Sequence, residues 1–463
     1  MTLIEALQNI VGHDFVRQGD AIPRRNWTDM AGMTPRRPQA LVLPGSTQDV
    51  SAVLAKCLEA RQAIVVQGGM TGLAGGAHPQ DGEIAPSLER LQGIEEIDVA
   101  SRTMTVHAGT PLFKVQDAAR DAGLHYGVDL GARGTCTIGG NVATNAGGVQ
   151  ALRYGVTRRN VLGLEVVLSD GTILSGLNKL MKNNTGYDWP QLMIGSEGTL
   201  GVITRVCLSL SPSPPALQTA LCAVTNVTDA ISVLTRLDRA LPGRLMTFEG
   251  MWRDYMEVTA RVTALPQPFR TSPEIILLVE AALGDDEAGR DLFTDTLAAL
   301  LEDGLILDAV IAQSLQDRQR FWAYREANYE FDRALPGAVH FDVSLPMDRM
   351  DDAITQLRRH TADLAPRSTF ITYGHMADSN LHLAIYPETF TDDLTEATTA
   401  VYDAVGLFEG SVSAEHGIGV LKRSYLSRSR SPGEIRLMKN LKHMFDPAGI
   451  LNRDRIFAID RPD

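Results

Sequence analysis

Cysteine is scarce in this chain of 463 residues: there are four, at 57, 136, 207 and 222, and none forms a CxxC pair. That excludes a zinc-ribbon or iron–sulfur signature and fits a reducing compartment. No stretch approaches eighteen apolar residues, which excludes a transmembrane helix. The opening Met-Thr-Leu-Ile-Glu-Ala-Leu carries a charge early and has no apolar h-region, so no signal peptide is expected and the expected compartment is the cytoplasm. Basic residues are in deficit, 43 against 56 acidic ones, giving a net charge of −13. An extended nucleic-acid footprint needs a basic stripe and is excluded, whereas a local positive cleft for a small acid is not. The remaining composition, 44% hydrophobic and 21% charged, is that of an ordinary soluble protein long enough for two or three domains.

Glycine is present in quantity, and it clusters. Gly68-Gly-Met-Thr-Gly-Leu-Ala-Gly-Gly76 follows the short apolar run Ala63-Ile-Val-Val66, which reads as a buried strand. Successive backbone N–H groups without Cβ atoms suit a pyrophosphate. The spacing is not GxGxxG, and no Lys-Ser/Thr closes it as a Walker A loop. A tight packing turn would explain this cluster alone. A second one, Gly139-Gly-Asn-Val-Ala-Thr-Asn-Ala-Gly-Gly148, makes a large phosphorylated cofactor the better account of both.

The last quarter carries different chemistry. His375 and His382 enclose Met-Ala-Asp-Ser-Asn-Leu, and Glu415-His416 follows Ser413-Ala. Seven residues apart on one strand, the two histidines would face opposite ways; a turn at Ala377–Asn380 would break that parity. Imidazole and carboxylate together suit a first-row divalent ion such as zinc, and a further histidine can take a proton near neutrality.

Between these regions, Ser46 caps a helix whose apolar face is Val50, Val53, Leu54, Cys57 and Leu58. A strand is expected at 103–108, a helix at 112–122, a hairpin at 164–174 and a strand at 202–210. Ser211-Pro-Ser-Pro-Pro215 marks a domain boundary. Beyond it, strands at 275–279, 307–311, 341–345, 369–373 and 381–385 alternate with helices at 286–301, 350–364, 391–407 and 431–445. That predicts an α+β domain with an antiparallel sheet and helices on one face.

The two glycine clusters, Gly131-Ala-Arg-Gly-Thr135, Arg153-Tyr-Gly155, Asn184–Asp188, Gly195-Ser-Glu-Gly-Thr-Leu-Gly201, Gly374–His382, Ser413–Gly419 and Leu451-Asn452 occur in the order seen in one flavoprotein group. The chain resembles the FAD-linked D-2-hydroxyacid dehydrogenase branch of the vanillyl-alcohol-oxidase/p-cresol-methylhydroxylase superfamily. The resemblance implies an N-terminal helical segment (1–35), a two-subdomain FAD-binding domain (36–214), an α+β substrate or cap domain (215–408), and a C-terminal helical segment returning to the flavin site (409–463). It implies that Gly68, Gly69, Met70, Thr71 and Gly72 hold the FAD pyrophosphate, and that Gly140, Asn141, Thr144, Asn145 and Gly148 line the flavin. Gly198 and the strand from Val202 would run beside the adenosine end. Leu73, Gly134, Thr135, Gly139, Glu197, Gly201, Ile203 and Asn452 are further implied cofactor-binding residues. Met70-Thr71 stands where covalently flavinylated relatives have histidine, so FAD attachment is expected to be non-covalent.

By the same resemblance His375, His382 and Glu415 bind a divalent metal, expected to be zinc, His416 is the base, Arg325 grips the substrate carboxylate and Asn380 bonds substrate or ligand. Tyr329 and His340 stand where a distal-carboxylate clamp would have Thr and Lys; either His340 faces a second carboxylate, which would favour its imidazolium, or the pocket prefers a neutral or hydroxylated tail, the second being slightly favoured. The implied reaction is oxidation of a D-2-hydroxyacid to the 2-oxoacid, with electrons passed to an external electron-transfer flavoprotein, quinone or cytochrome. A homodimer stays open. The rival readings are a flavin oxidase of a sugar acid or alditol, and a non-catalytic flavin-binding subunit of a glycolate-oxidase-like complex.

Overall fold

A computed structural model describes residues 1–389 and 392–459. The chain divides into two compact units. One comprises residues 1–148, 154–213 and 415–463; the other comprises 149–153 and 214–414.

The first unit contains a five-stranded antiparallel sheet in the order Ile94–Asp98, Thr103–His107, Val202–Ser209, Val161–Val167, Ile173–Ser175. A smaller sheet joins Val16–Arg17, Ala40–Val42 and Ile84–Pro86, the last two in parallel. Helix Thr47–Glu59 starts where expected, with the Ser46 hydroxyl accepting the Asp49 N–H. It turns Val50, Val53, Leu54 and Cys57 into a core shared with Met104, Val106, Leu164 and Val206. The expected strand at 63–66 forms only isolated bridges, from Ile64 to Ile84 and to Leu451. Its N–H groups alternate between two neighbours as a strand's do, Ile64 to Ile450 O and Val65 to Ile84 O.

The second unit is built on a seven-stranded sheet in the order Asp308–Ile311, Leu217–Val224, Ile275–Ala282, Leu245–Trp252, Thr369–His375, Asn380–Tyr386, Val339–Ser344, with every pairing antiparallel. The helices cover both faces, not one. Phe321 and Tyr324 of helix Leu315–Arg325 pack with Ile276, Ile371 and Ala384. Phe341 pairs with Leu383, the neighbour of Ala384 and so on the opposite face, and there stacks on Tyr402 of helix Thr395–Leu407. Residue 391, the expected start of that last helix, lies outside the described residues.

Candidate functional site

In the second unit, one sheet face carries a row of polar side chains. Strand Thr369–His375 ends in a single turn, Met376–Asp378, and Ser379 takes a left-handed conformation (φ 67°) before strand Asn380–Tyr386 begins. This turn breaks the parity of the seven-residue spacing. Tyr373 then pairs with His382 and His375 with Asn380, and the two histidine rings stand 5.2 Å apart, edge to face. A ligand-competent atom of each lies within 4.8 Å of the other. Asp342 is directly opposite His382, its Oδ1 4.0 Å from His382 Nδ1.

Glu249 links this pair to Arg325. It is opposite His375 across the strand pair and is 1% exposed. One oxygen lies 2.7 Å from His375 Nδ1, and the other accepts from Arg325 Nε at 2.8 Å. Burial pushes the Glu249 carboxyl up, but the neighbouring His375 and Arg325 outweigh it and hold it below the usual range. Arg325 is not the surface residue that its helix position allows. It is buried, with its guanidinium 4.8 Å from the centre of the Tyr373 ring, and its carbonyl is held by the Tyr255 hydroxyl at 2.7 Å. The Asn380 side chain is buried, and neither Oδ1 nor Nδ2 has a partner among the described residues. It lacks one donor and one acceptor at once, which a hydroxyl group can supply.

The residues of the expected distal clamp are placed differently from one another. His340 Nε2 lies 3.0 Å from Asp332 Oδ1, which also accepts from the Tyr386 hydroxyl at 3.0 Å. Tyr329, in helix Asn328–Ala334, is 65% exposed.

In the first unit the glycine loops touch. A Cβ on Gly69 would lie 2.2 Å from Thr135 O, and one on Gly68 2.7 Å from Thr137 Oγ1, so only glycine allows this approach. The second cluster is not an irregular nest throughout. Gly139, Gly140, Asn141 and Thr144 lie in the short helix Ile138–Thr144, which Asn145 ends in the left-handed region. Met70, Glu197 and Asn452 are also non-glycine residues at positive φ, all in segments implied to contact cofactor. Such conformations concentrate at ligand sites. Gly134 has open space around it, and Leu73 and Thr71 are at least partly exposed. Gly148 N–H donates to Glu415 Oε1 at 2.8 Å, and His416 follows it. Glu197 accepts from the N–H groups of Ile418 and Gly419, both at 2.7 Å, so its carboxylate holds the loop after His416. Asn452 ties Glu197 O to Val66 N, and Gly198 packs on it. Gly201 sits against Val166, and the side chains of Val202 and Ile203 belong to the apolar core, which gives them a packing role.

Glu249 has no place in the sequence reading. Its signal was present: it is the one carboxylate in the otherwise apolar or neutral strand Leu245–Trp252.

Residues 213–456 match the family model described as FAD linked oxidases, C-terminal domain, and residues 38–176 match a FAD binding domain. A D-2-hydroxyglutarate dehydrogenase of Xanthomonas citri is 38% identical over 441 residues, covering 94% of this chain and 91% of that one. The mitochondrial D-2-hydroxyglutarate dehydrogenase of Rattus norvegicus is 38% identical, with 89% and 77% covered. A putative mitochondrial D-lactate dehydrogenase of Schizosaccharomyces pombe is 34% identical, with 89% and 80% covered. Among solved structures, p-cresol methylhydroxylase with substrate bound aligns with a TM-score of 0.77 at 17% identity, covering 100% of this chain and 97% of that one. A 4-ethylphenol oxidase from Gulosibacter chungangensis aligns with a TM-score of 0.73 at 19% identity, covering 98% and 97%. These two likenesses concern the fold.

Proposed function

This chain belongs to the FAD-linked oxidases of the vanillyl-alcohol-oxidase/p-cresol-methylhydroxylase fold, and on that premise we propose that it oxidises a D-2-hydroxyacid to the 2-oxoacid. The observation that carries this reading is the buried row Arg325–Glu249–His375 with His382 and Asn380 on the same sheet face. It combines a carboxylate-binding guanidinium, two imidazoles and a buried amide lacking a hydroxyl-like partner.

FAD, held by the 68–73 and 134–148 segments with Glu197, Gly198 and Asn452 behind them, supplies the two-electron oxidant when bound. His375 and His382 would hold a divalent metal on this sheet face, and such an ion would supply a Lewis acid for the C2 hydroxyl. Arg325 binds the C1 carboxylate through its terminal nitrogens. The Asn380 amide holds the hydroxyl, and His416 is the base that the resemblance implies. Arg325 is buried, and the half-buried Tyr373 ring lies against its guanidinium, which fixes the guanidinium at the carboxylate end. Oxidation of the hydroxyacid would leave two electrons on the bound FAD, and an external acceptor would be needed to take them. Among the described residues, no helix is long and apolar enough to cross a membrane. Two of the relatives above are named as mitochondrial, so they lend the expected cytoplasmic location no support.

Anaerobic addition of D- and L-2-hydroxyacids to the yellow protein tests the proposal. The D-enantiomers should bleach the flavin. Bleaching by L-enantiomers alone, or by none of a panel spanning lactate, hydroxyglutarate and aldonates, would reject it.

A further inference from the structure

We infer that Glu249 is a positioning residue that sets both the tautomer of His375 and the orientation of Arg325; the inference rests on the metal reading above. A carboxylate only accepts hydrogen bonds. With Oε1 2.7 Å from His375 Nδ1, that nitrogen carries the proton, and in the neutral imidazole the lone pair is then on Nε2, the atom through which the ring would ligate a metal. With Oε2 accepting from Arg325 Nε at 2.8 Å, the guanidinium fork keeps its two terminal nitrogens for a substrate carboxylate. The arrangement is dictated by the backbone, because Glu249 and His375 are direct partners in the antiparallel ladder. Arg325 comes from a helix 76 residues away and is pinned by Tyr255 and the Tyr373 ring. One buried side chain therefore couples the metal-binding histidine to the substrate-binding arginine.

The chemistry makes Glu249→Gln a sharp probe. The amide fills nearly the same volume but offers one acceptor and one donor where two acceptors are needed. If its oxygen faces His375, its NH2 opposes the Arg325 Nε–H. If it is flipped, it donates to His375 Nδ1 and drives the proton to Nε2, removing the ligand lone pair. Either orientation breaks one of the two hydrogen bonds.

The measurement is Zn2+ affinity by calorimetry on the FAD-loaded protein, wild type and E249Q, together with KM and kcat for the best hydroxyacid. Flavin absorbance and the melting curve report folding. The expected result is a yellow, cooperatively melting variant with either Zn2+ affinity roughly 10–100-fold weaker or, if the bond to Arg325 is the one broken, a comparably raised KM. Wild-type values for both quantities would overturn the inference while leaving the metal reading intact. A wild type that binds neither Zn2+ nor another divalent ion would overturn the metal reading and the inference with it. Should E249Q fail to fold, histidine-selective 15N spectra of the zinc-loaded wild type decide. A proton on His375 Nδ1 is expected, and a proton on its Nε2 would refute the assignment.

Discussion

His340 Nε2 lies 3.0 Å from Asp332 Oδ1, and Tyr386 donates to the same carboxylate oxygen. Burial pushes the Asp332 carboxyl up, but the bonds from His340 and Tyr386 prevail and hold it below the usual range, so it is an anion at neutral pH. A second substrate carboxylate approaching His340 would meet this negative charge. The expected outcome is a kcat/KM for D-lactate or a D-aldonate above that for D-2-hydroxyglutarate. Asp332→Asn should narrow the ratio by about fivefold, as one partly exposed like-charge contact of roughly 1 kcal/mol would. A wild-type preference for hydroxyglutarate that the substitution leaves unmoved would refute the argument, although two of the relatives named above carry that substrate in their names.

Cofactor attachment follows from Met70 and Thr71 in the first glycine loop. Neither supplies an imidazole nucleophile for the flavin. Acid or heat precipitation should leave FAD in the supernatant, identified by its absorbance and mass. Colour retained in the pellet would contradict non-covalent binding, and FMN in solution would contradict the cofactor's identity.

Removing an imidazole tests the metal site. His382→Ala should lower activity by at least the roughly 10–100-fold that losses around metal ligands bring, with the flavin spectrum nearly intact. Prolonged chelation of the wild type should have the same effect, reversed by added Zn2+. Full turnover in protein shown by elemental analysis to be metal-free would exclude the role.

Arg455 and Glu83 are a fully buried pair, with Nη2 2.9 Å from Oε2 and a second bond from Nη2 to His78 O at 2.6 Å. Truncating one member leaves the other charge without compensation, which costs about 3–5 kcal/mol. Arg455→Ala should therefore lower the melting temperature of the FAD-loaded protein by several degrees. Arg455→Ala together with Glu83→Ala should recover part of the loss. A single variant that melts like the wild type would show that the pair is dispensable.

What could be read from the sequence was whatever depends on neighbours along the chain. Ser46 with Asp49 marks a helix start, the glycines of 68–76 mark a backbone that must approach closely, and Ala377–Asn380 marks a turn between two strands. The apolar run at 63–66 pairs only through isolated bridges, and its partners, Ile84 and Leu451, are far away in sequence. Glu249 stayed hidden for a related reason. Its partners are 76 and 126 residues distant, and a lone acid in an apolar strand does not disclose which cation it will meet. The direction of His340 was equally out of reach, because Asp332 comes from a helix whose packing on the sheet has no local signature.

Residues 415–463 have a consequence for biosynthesis. They complete the unit that contains the glycine loops: Ile450 O receives Ile64 N–H, Asn452 clasps Val66 and Glu197, and buried Lys442 donates to the carbonyls of Thr199 and Leu451. On the ribosome the first two hundred residues must therefore wait, with this edge unsealed, while the intervening unit is translated. Stable capture of the flavin belongs after that wait. A premature stop anywhere before residue 450 should yield a colourless chain prone to aggregation, even with the 68–76 and 139–148 segments intact.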